Sequence, residues 1–185
     1  MKKFLIAIVS LIAASAISWQ LLGLYWKYEY GQKAPKVSLT VSEVSRHYYL
    51  FVPDNLTEPA PLVLAFHGGG GGGWRFPQQF LFEELAAAEG FIMAFPQAEH
   101  VEPNEGGWQL NSRADWMQDI NYVSAVIDDI GSGYSIDKLR VYGIGYSLGS
   151  MFIYELACHM TDRFAALASY AGTMPVNPNH CEQVR

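Results

Sequence analysis

A serine flanked by glycines is the residue of this sequence whose setting most suggests chemistry. The stretch LRVYGIGYSLGSMF, residues 139 to 152, contains GYSLG, which matches the pattern G-x-S-x-G around Ser147. A serine hydroxyl can attack an ester carbonyl when a sharp strand-to-helix turn lifts it above a sheet and a base removes its proton. A β-rich run precedes the motif and a helical pattern follows it. The sequence therefore predicts that Ser147 is a catalytic nucleophile.

A glycine run supplies a second part of such a site. The stretch HGGGGGGW, residues 67 to 74, follows an unbroken apolar run. Hydrolases hold the oxyanion that forms during attack with two backbone N–H groups. One comes from the residue after the nucleophile and the other from a loop after an earlier strand. We predict Leu148 and Gly69 as these donors, with the glycines on either side of Gly69 as the next candidates. His67 is interpreted as a structural residue that orients the loop, not as the base.

The triad partners of the serine are harder to find. His159 lies twelve residues along the predicted helix, about 18 Å away at ~1.5 Å per residue, which is beyond hydrogen-bond reach. Asp162 closes the same end of that helix, and His180 is predicted to lie on the same wrong side of the sheet. His100 follows a strand on the correct side but precedes the serine. We expect the chain to lack the acid and the histidine, and to be inactive alone.

The elements that must position these residues alternate along the chain. Apolar runs predict strands over residues 37–44, 46–53, 61–66, 91–96, 139–144 and 164–172, the last as a buried strand. Helical patterns predict helices over 78–90, 119–131 and 148–160, with Gly90 as the end of the first, and with Asp119 as the cap and Gly131 as the stop of the second. This alternation is typical of an α/β fold with a mostly parallel sheet and flanking helices.

Five stretches, in this order, carry a resemblance to a known family: PLVLAFHGGG, EGFIMAFPQA, DINYVSAVIDDI, VYGIGYSLGSMFIYELAC and RFAALASYAGTMP. They resemble the secreted polyhydroxybutyrate depolymerase and feruloyl esterase family of α/β-hydrolases, over about residues 45 to 185. The resemblance implies the α/β-hydrolase fold, here truncated before its last strands. It also implies a serine carboxylesterase acting on hydroxyalkanoate, feruloyl or acetyl esters, with no cofactor and no metal. Members of this family also carry an acidic residue near the start of the helix that contains Asp119. We interpret this residue as a cap and a loop anchor, without a chemical role.

Aromatic residues near the predicted site are candidates for substrate binding. Tyr146 and Trp108 are predicted to contact the ester substrate, and Trp74 and Trp116 could line the same pocket. Aromatic side chains are more often part of a core. Acyl and alcohol specificity therefore stay open.

The N-terminal segment differs from the rest. Lys2 and Lys3 precede an apolar run from Phe4 to Trp26, which is long enough to span a bilayer. Residues 1–26 are either a signal peptide, with small residues at Ala14 and Ala16, or an uncleaved signal anchor. Residues 27–36 are predicted to be a linker, and residues 37–185 the hydrolase domain. Both interpretations place the domain outside the cytoplasm, either extracellular or periplasmic, because the lysines stay inside.

The net charge indicates which partners are excluded, and the cysteines indicate the compartment. The net charge of −6 and the lack of a basic cluster argue against a nucleic-acid surface. Cys158 and Cys181 permit one disulfide in an oxidising compartment, and two free thiols are the alternative. The predicted topology brings both cysteines to one end of the sheet, and the family resemblance implies the same bridge.

Two other functions compete with an esterase. Glycines in the run satisfy a dinucleotide-binding pattern trivially, but the acid expected about twenty residues later is absent. The stronger alternative is a non-catalytic, membrane-anchored binding module in which Ser147 is a relic.

Overall fold

The computed structural model describes residues 2–73, 81–99, 107–110 and 117–174. Within these ranges the chain forms four helices and six strands. The helices are α1 (Lys2–Lys33), α2 (Phe82–Glu89), α3 (Gln118–Gly133) and α4 (Leu148–His159). The strands are β1 (Lys36–Val41), β2 (Val44–Phe51), β3 (Ala60–Phe66), β4 (Ile92–Pro96), β5 (Ile136–Tyr146) and β6 (Ala166–Tyr170).

The strands form one sheet in the order β1-β2-β4-β3-β5-β6. The β1–β2 and β2–β4 pairs are antiparallel, whereas β4, β3, β5 and β6 run parallel. The chain passes from β3 to β4 on one side and returns to β5 on the other. Ligands of such sheets bind beyond the carboxyl ends of the strands where the order reverses. The predicted α/β-hydrolase fold is confirmed, and it brings the ends of β3 and β5 together.

The core has two parts, one on each face of the sheet. The larger part packs α3, α4 and the segment 107–110 against the sheet. The predicted apolar face of α3 is buried there: Ile120, Val123, Val126, Ile127 and Ile130. A smaller cluster on the other face includes α2 and comprises Ala34, Ala65, Ala86, Met93 and Phe95.

The ends of α3 differ from the prediction, whereas the end of α2 agrees with it. Gly90 closes α2 with φ 72°, a conformation that glycine adopts without strain. Asp119 is not a cap, because its carboxylate turns into the core and makes no cap hydrogen bond. Gly131 does not end α3, which continues to Gly133. There the Tyr134 N–H donates to the carbonyl of the buried Ile130.

The last strand is more exposed than expected. The run 164–172 contains β6 over residues 166 to 170, and four of these five residues are exposed. Its one partner among the described strands is β5. A strand at the edge of the described sheet keeps one side uncovered, so its apolar composition does not translate into burial.

The segment predicted to be a linker is mostly helical. α1 continues without a break from Lys2 to Lys33, and β1 begins at Lys36. Its residues 2 to 26 form a helix long and apolar enough to cross a membrane, with none of its most apolar window buried. Ala34 is buried in the smaller core cluster. The apolar part of α1 and the sheet are therefore joined by the last turns of α1 and by two residues, 34 and 35, of which Ala34 is buried.

Candidate active site

Ser147 lies on a strained turn between β5 and α4. Its φ of 52° and ψ of −114° are unusual for a residue with a side chain. Such strain is characteristic of a nucleophile elbow, where it exposes the serine hydroxyl above the sheet. The Ser147 N–H donates to the Tyr170 carbonyl at 3.0 Å, and its own carbonyl accepts from Met151 N–H at 3.1 Å. The backbone is thus held on both sides, while no described residue hydrogen-bonds the hydroxyl.

The two glycines of the motif are required by close packing. A Cβ on Gly145 would lie 2.2 Å from the Gly149 carbonyl oxygen and 2.7 Å from Ile153 Cγ1. A Cβ on Gly149 would lie 2.1 Å from the Phe66 carbonyl oxygen. No side chain fits at these distances without moving the backbone of β3 or of α4. The pattern G-x-S-x-G is therefore dictated by how closely the turn meets its neighbours.

The glycine run lies directly against the serine. A Cβ on Gly68 would be 3.2 Å from Ser147 Cβ, so the backbone there contacts Ser147. The run then turns back, with Gly71 N–H donating to the Gly68 carbonyl at 3.1 Å. Gly69 is exposed within this turn. Gly68 therefore lies beside Ser147 and Gly69 follows it in an exposed turn, and the choice of Gly69 as the oxyanion donor stays a prediction.

Leu148 is the first residue of α4, so its N–H belongs to the first turn of a helix, where N–H groups have no intrahelical acceptor. No described residue accepts a hydrogen bond from the N–H of Leu148, Gly68 or Gly69. The α4 dipole also favours negative charge at this end. These amides carry no hydrogen bond to a described residue, and the assignment of Leu148 as an oxyanion donor stays a prediction.

His67 holds the glycine run rather than acting as a base. Its Nδ1 contacts the Gly68 carbonyl at 2.8 Å, and its Nε2 accepts from Ala98 N–H at 3.1 Å. These contacts fit a neutral ring with its proton on Nδ1. Burial lowers the pKa of His67, which favours that neutral form. Both ring nitrogens are engaged, in agreement with the predicted structural role.

Trp108 supports the same loop from below and corrects the prediction of a substrate-binding residue. It has no exposed surface, and its indole N–H donates to the His67 carbonyl at 2.8 Å. Its ring stacks on Phe152 with the centroids 4.8 Å apart. A side chain with no accessible surface cannot line a pocket, so Trp108 is a packing residue beneath the glycine run.

Tyr146 remains a candidate for substrate contact. It is half-buried next to Ser147, and its ring lies beside Gly68. It stacks on the exposed Tyr170 with the centroids 5.8 Å apart. The two rings form an aromatic surface beside Ser147.

A buried ion pair fixes the segment that carries Trp108. Arg46 donates to the Asp119 carboxylate at 2.8 Å, and both residues are almost completely buried. The second carboxylate oxygen accepts from Gln109 N–H at 2.7 Å. Burial raises the pKa of Asp119, and the Arg46 guanidinium opposes that rise. Asp119 is thus a loop anchor, as expected, although it is not a cap.

Residues at and after the end of β6 pack against the start of α4, a contact that the sequence did not predict. The hydroxyls of Ser150 and Ser169 are hydrogen-bonded to each other. A Cβ on Gly172 would lie 2.4 Å from Ser150 Oγ and 2.9 Å from the Ser147 carbonyl oxygen. Ala171 has a positive φ of 57°. In the sequence, only Gly172 hinted at this contact. A glycine after a strand can be interpreted only once its distant neighbours are known.

The remaining predicted residues do not reach the serine or lie outside the described part of the chain. His159 is at the far end of α4, with its Nε2 3.8 Å from Glu155 Oε2, so it cannot serve Ser147 as a base. Cys158 lies in the last turn of α4 and is not a free thiol. Its predicted partner Cys181 lies outside the described residues, so the bridge stays a prediction. His100, His180, Trp74 and Trp116 also lie outside the described residues, so what was predicted for each of them stays a prediction.

Known proteins similar to this chain are esterases. It is 30% identical over 127 residues to a bifunctional acetylxylan esterase/xylanase of Neocallimastix patriciarum, covering 69% of this chain and 18% of that protein. It is 29% identical over 129 residues to feruloyl esterase B of Thermothelomyces thermophilus, covering 67% and 43%. Among solved structures, the acetyl xylan esterase from Aspergillus awamori matches with a TM-score of 0.64 and 24% identity, over 75% of this chain and 52% of that one. No protein-family model matches the chain.

These similarities cover only part of each relative. The chain spans between 18% and 43% of the length of the two curated relatives. The structural match, at 24% identity, supports the fold.

Proposed function

Because the chain is homologous to acetylxylan and feruloyl esterases and shares their α/β-hydrolase fold, we propose that it is the nucleophile-bearing part of a serine ester hydrolase. The observation that carries the proposal is the strained Ser147, whose hydroxyl is hydrogen-bonded by no described residue and which the glycine run contacts. The proposed substrates are acetyl or feruloyl esters on saccharides. Hydroxyalkanoate esters remain a prediction from the family resemblance.

The proposed reaction has two acyl-transfer steps. Ser147 Oγ attacks the ester carbonyl while a base takes its proton, and the carbonyl oxygen becomes an oxyanion held by backbone N–H groups. The tetrahedral intermediate collapses, and the alcohol leaves with the proton from that base. Water then attacks the acyl-serine in the same way, which releases the acid and restores the hydroxyl. Each N–H donor typically contributes about 3 kcal/mol to transition-state stabilisation.

The base and its acid are proposed to lie outside the described residues. His67 has both ring nitrogens engaged, and His159 lies at the opposite end of α4. His47 lies in β2, two strands away from β3 in the sheet. A serine without a base stays protonated and is a poor nucleophile. We therefore expect full activity only from the full-length protein.

The proposal is tested with a fluorophosphonate probe and a short-chain nitrophenyl ester on the full-length protein. Ser147→Ala should abolish probe labelling and reduce hydrolysis at least ~10³-fold, since the covalent step is lost. Ser132→Ala is the matched control, because Ser132 is an exposed hydroxyl on α3 that bonds its own helix. Unchanged hydrolysis by Ser147→Ala would refute the nucleophile. Absence of labelling and hydrolysis in the folded wild-type protein would favour the binding-module alternative.

The hydrolase domain is proposed to act outside the cytoplasm. Lys2 and Lys3 precede the apolar part of α1, and positive residues are retained on the cytoplasmic side. A cysteine pair suited to an oxidising compartment supports the same location.

A further inference from the structure

We propose that α1 is retained as a transmembrane anchor and that it holds the hydrolase domain at a short, limited distance from the bilayer. Only the consequence for substrates rests on the esterase activity proposed above. In this proposal, the apolar surface of α1 is covered by the lipids of the bilayer.

The length and exposure of α1 fit a membrane span. Residues 2 to 26 form 25 helical residues, about 37 Å of helix against a hydrocarbon core of ~30 Å. Its large apolar side chains are exposed all round the helix: the consecutive Phe4, Leu5 and Ile6, about 100° apart around the axis, are 73%, 63% and 64% exposed. A helix whose apolar surface is exposed all round is unfavourable in water and favourable in lipid.

The two ends of the span match the two surfaces of a membrane. Lys2 and Lys3 are at the N-terminal end, which predicts that this end stays in the cytoplasm. At the other end, Tyr25 and Trp26 are in contact and Tyr28 follows one turn later, with Tyr25 and Tyr28 well exposed. Aromatic rings of this kind concentrate at membrane interfaces. The helix is therefore oriented with the hydrolase domain outside.

The junction with the domain supports retention of the helix. α1 has no break at Ala14 or Ala16, where a signal peptide would be cleaved. After Lys33 the chain enters the fold at once. Ala34 is 1% exposed in the core cluster, and the Pro35 carbonyl accepts from Leu50 N–H at 3.1 Å. Cleavage after Ala16 would leave the exposed apolar residues of 17 to 26 as a terminus in water.

This junction limits how far Ser147 can be from the membrane. Lys36 pairs with Tyr49, which pairs with Phe95, and the register across β3 places Phe95 level with Ile144. Four strand spacings and three residues along β5 put Ser147 roughly 20 Å from Lys36. The helical turns after Trp26 and the entry to β1 add up to ~20 Å. The hydroxyl therefore lies within about 40 Å of the bilayer surface, whichever way α1 points.

Such a site can process only esters that reach the membrane surface. Small diffusing esters and saccharide chains attached to the envelope meet this condition. Esters inside a solid polymer do not, unless fragments of it diffuse to the membrane. The proposed substrate is accordingly a soluble or membrane-proximal ester.

The anchor is tested on the full-length protein produced with its own N-terminus, in readouts that need no activity. We expect the protein to stay in the membrane fraction after carbonate washing, with an intact N-terminal segment by mass spectrometry. A soluble protein that begins after Ala16 would overturn the proposal. Failure of the esterase assay in a protein that stays in the membrane would refute the proposed function alone.

The limited distance is tested by energy transfer in phosphatidylethanolamine/phosphatidylglycerol vesicles. A donor dye on Met174→Cys, an exposed position three residues past the strained Ala171, is paired with acceptor dyes on the lipid headgroups. Insertion of twenty Gly-Ser residues after Lys33 adds a flexible reach of roughly 25 Å and should lower the transfer markedly. The same insertion placed at the N-terminus, before the span, is the control and should leave it unchanged. Equal transfer with and without the insertion after Lys33 would show that the junction does not limit the distance.

Discussion

The two faces of the sheet differ in how completely they are covered. On the α3/α4 face, Trp108, Phe66 and Phe152 pack with no exposed surface. On the α2 face, a cleft of about 290 Å³ is lined almost entirely by apolar groups, including Val63, Phe82 and Leu167. The covered face is also the one that supports the Ser147 turn, through Gly149 against Phe66 and Trp108 against His67. The position of Ser147 therefore depends on contacts on the α3/α4 face.

The test with the largest expected effect removes one apolar side chain from each face of the sheet. Trp108→Ala deletes a fully buried ring and the hydrogen bond to His67, which should cost about 4 kcal/mol of unfolding free energy. Leu85→Ala, on the half-exposed surface of α2, should cost less than ~1 kcal/mol. Urea unfolding of the three proteins measures both values. Equal losses would contradict the claim that the faces differ.

A second test adds a methyl group at two helix glycines. Gly149→Ala places a Cβ against the Phe66 carbonyl, so the turn or β3 must move, at a cost of about 3 kcal/mol. Gly133→Ala, at the end of α3, meets nothing within 4 Å and should be neutral or stabilising by up to ~1 kcal/mol. Thermal unfolding checks the stabilities, and fluorophosphonate labelling checks the turn. A Gly149→Ala protein as stable as the wild type would mean that the turn is less constrained than the structure shows.

A third test compares a buried and an exposed ion pair. Asp119→Asn removes the charge facing Arg46 while keeping a similar shape, and should cost about 2 kcal/mol, because a buried guanidinium loses its counter-charge. Asp128 is 67% exposed and pairs with Arg163 at 2.6 Å, so Asp128→Asn should cost less than ~1 kcal/mol. Chemical denaturation measures both losses. Two similar small losses would argue that the Arg46 pair does not hold the loop.

The smallest effect concerns pH. Burial lowers the pKa of His67 below its unfolded value near 6.5, so the folded state favours the neutral ring. The stabilisation is fully present above that unfolded value and is lost as the pH falls below it toward the folded pKa. His67→Asn keeps a donor toward the Gly68 carbonyl but cannot titrate, so its stability should fall less between pH 7 and pH 5. Denaturant unfolding at a series of pH values makes the comparison, and parallel curves would exclude His67 as the titrating group.

The sequence predicted those features of the site that depend on neighbouring residues. Ser147 and its flanking glycines were identifiable because one turn imposes its own stereochemistry on five consecutive residues. The position of the glycine run followed from topology, since parallel strands β3 and β5 end at the same edge. The apolar face of α3 followed from its periodicity. The polyhydroxyalkanoate part of the resemblance stays a prediction, whereas the feruloyl esterase part is confirmed by the relatives.

Features that depend on distant residues could not be predicted. Asp119 looks like a cap in sequence, and only its contact with Arg46, 73 residues away, shows why it turns inward. Trp108 looks like a pocket residue, because nothing local reveals that Phe152 will stack on it. The end of α3 was misplaced since Gly131 is an ordinary helical glycine there, with its environment set by Ile136.

The hydrogen bond between Ser147 N–H and the Tyr170 carbonyl has a consequence for how a negatively charged oxygen can be recognised. The Ser147 N–H already donates to a carbonyl of β6. It can therefore donate to a substrate oxygen only if that hydrogen bond to the strand breaks. If the proposed donors are correct, recognition of the charge is divided between two separate segments of backbone, the start of α4 and the loop after β3. Any motion that separates these two pieces would switch off oxyanion binding while leaving the serine itself in place.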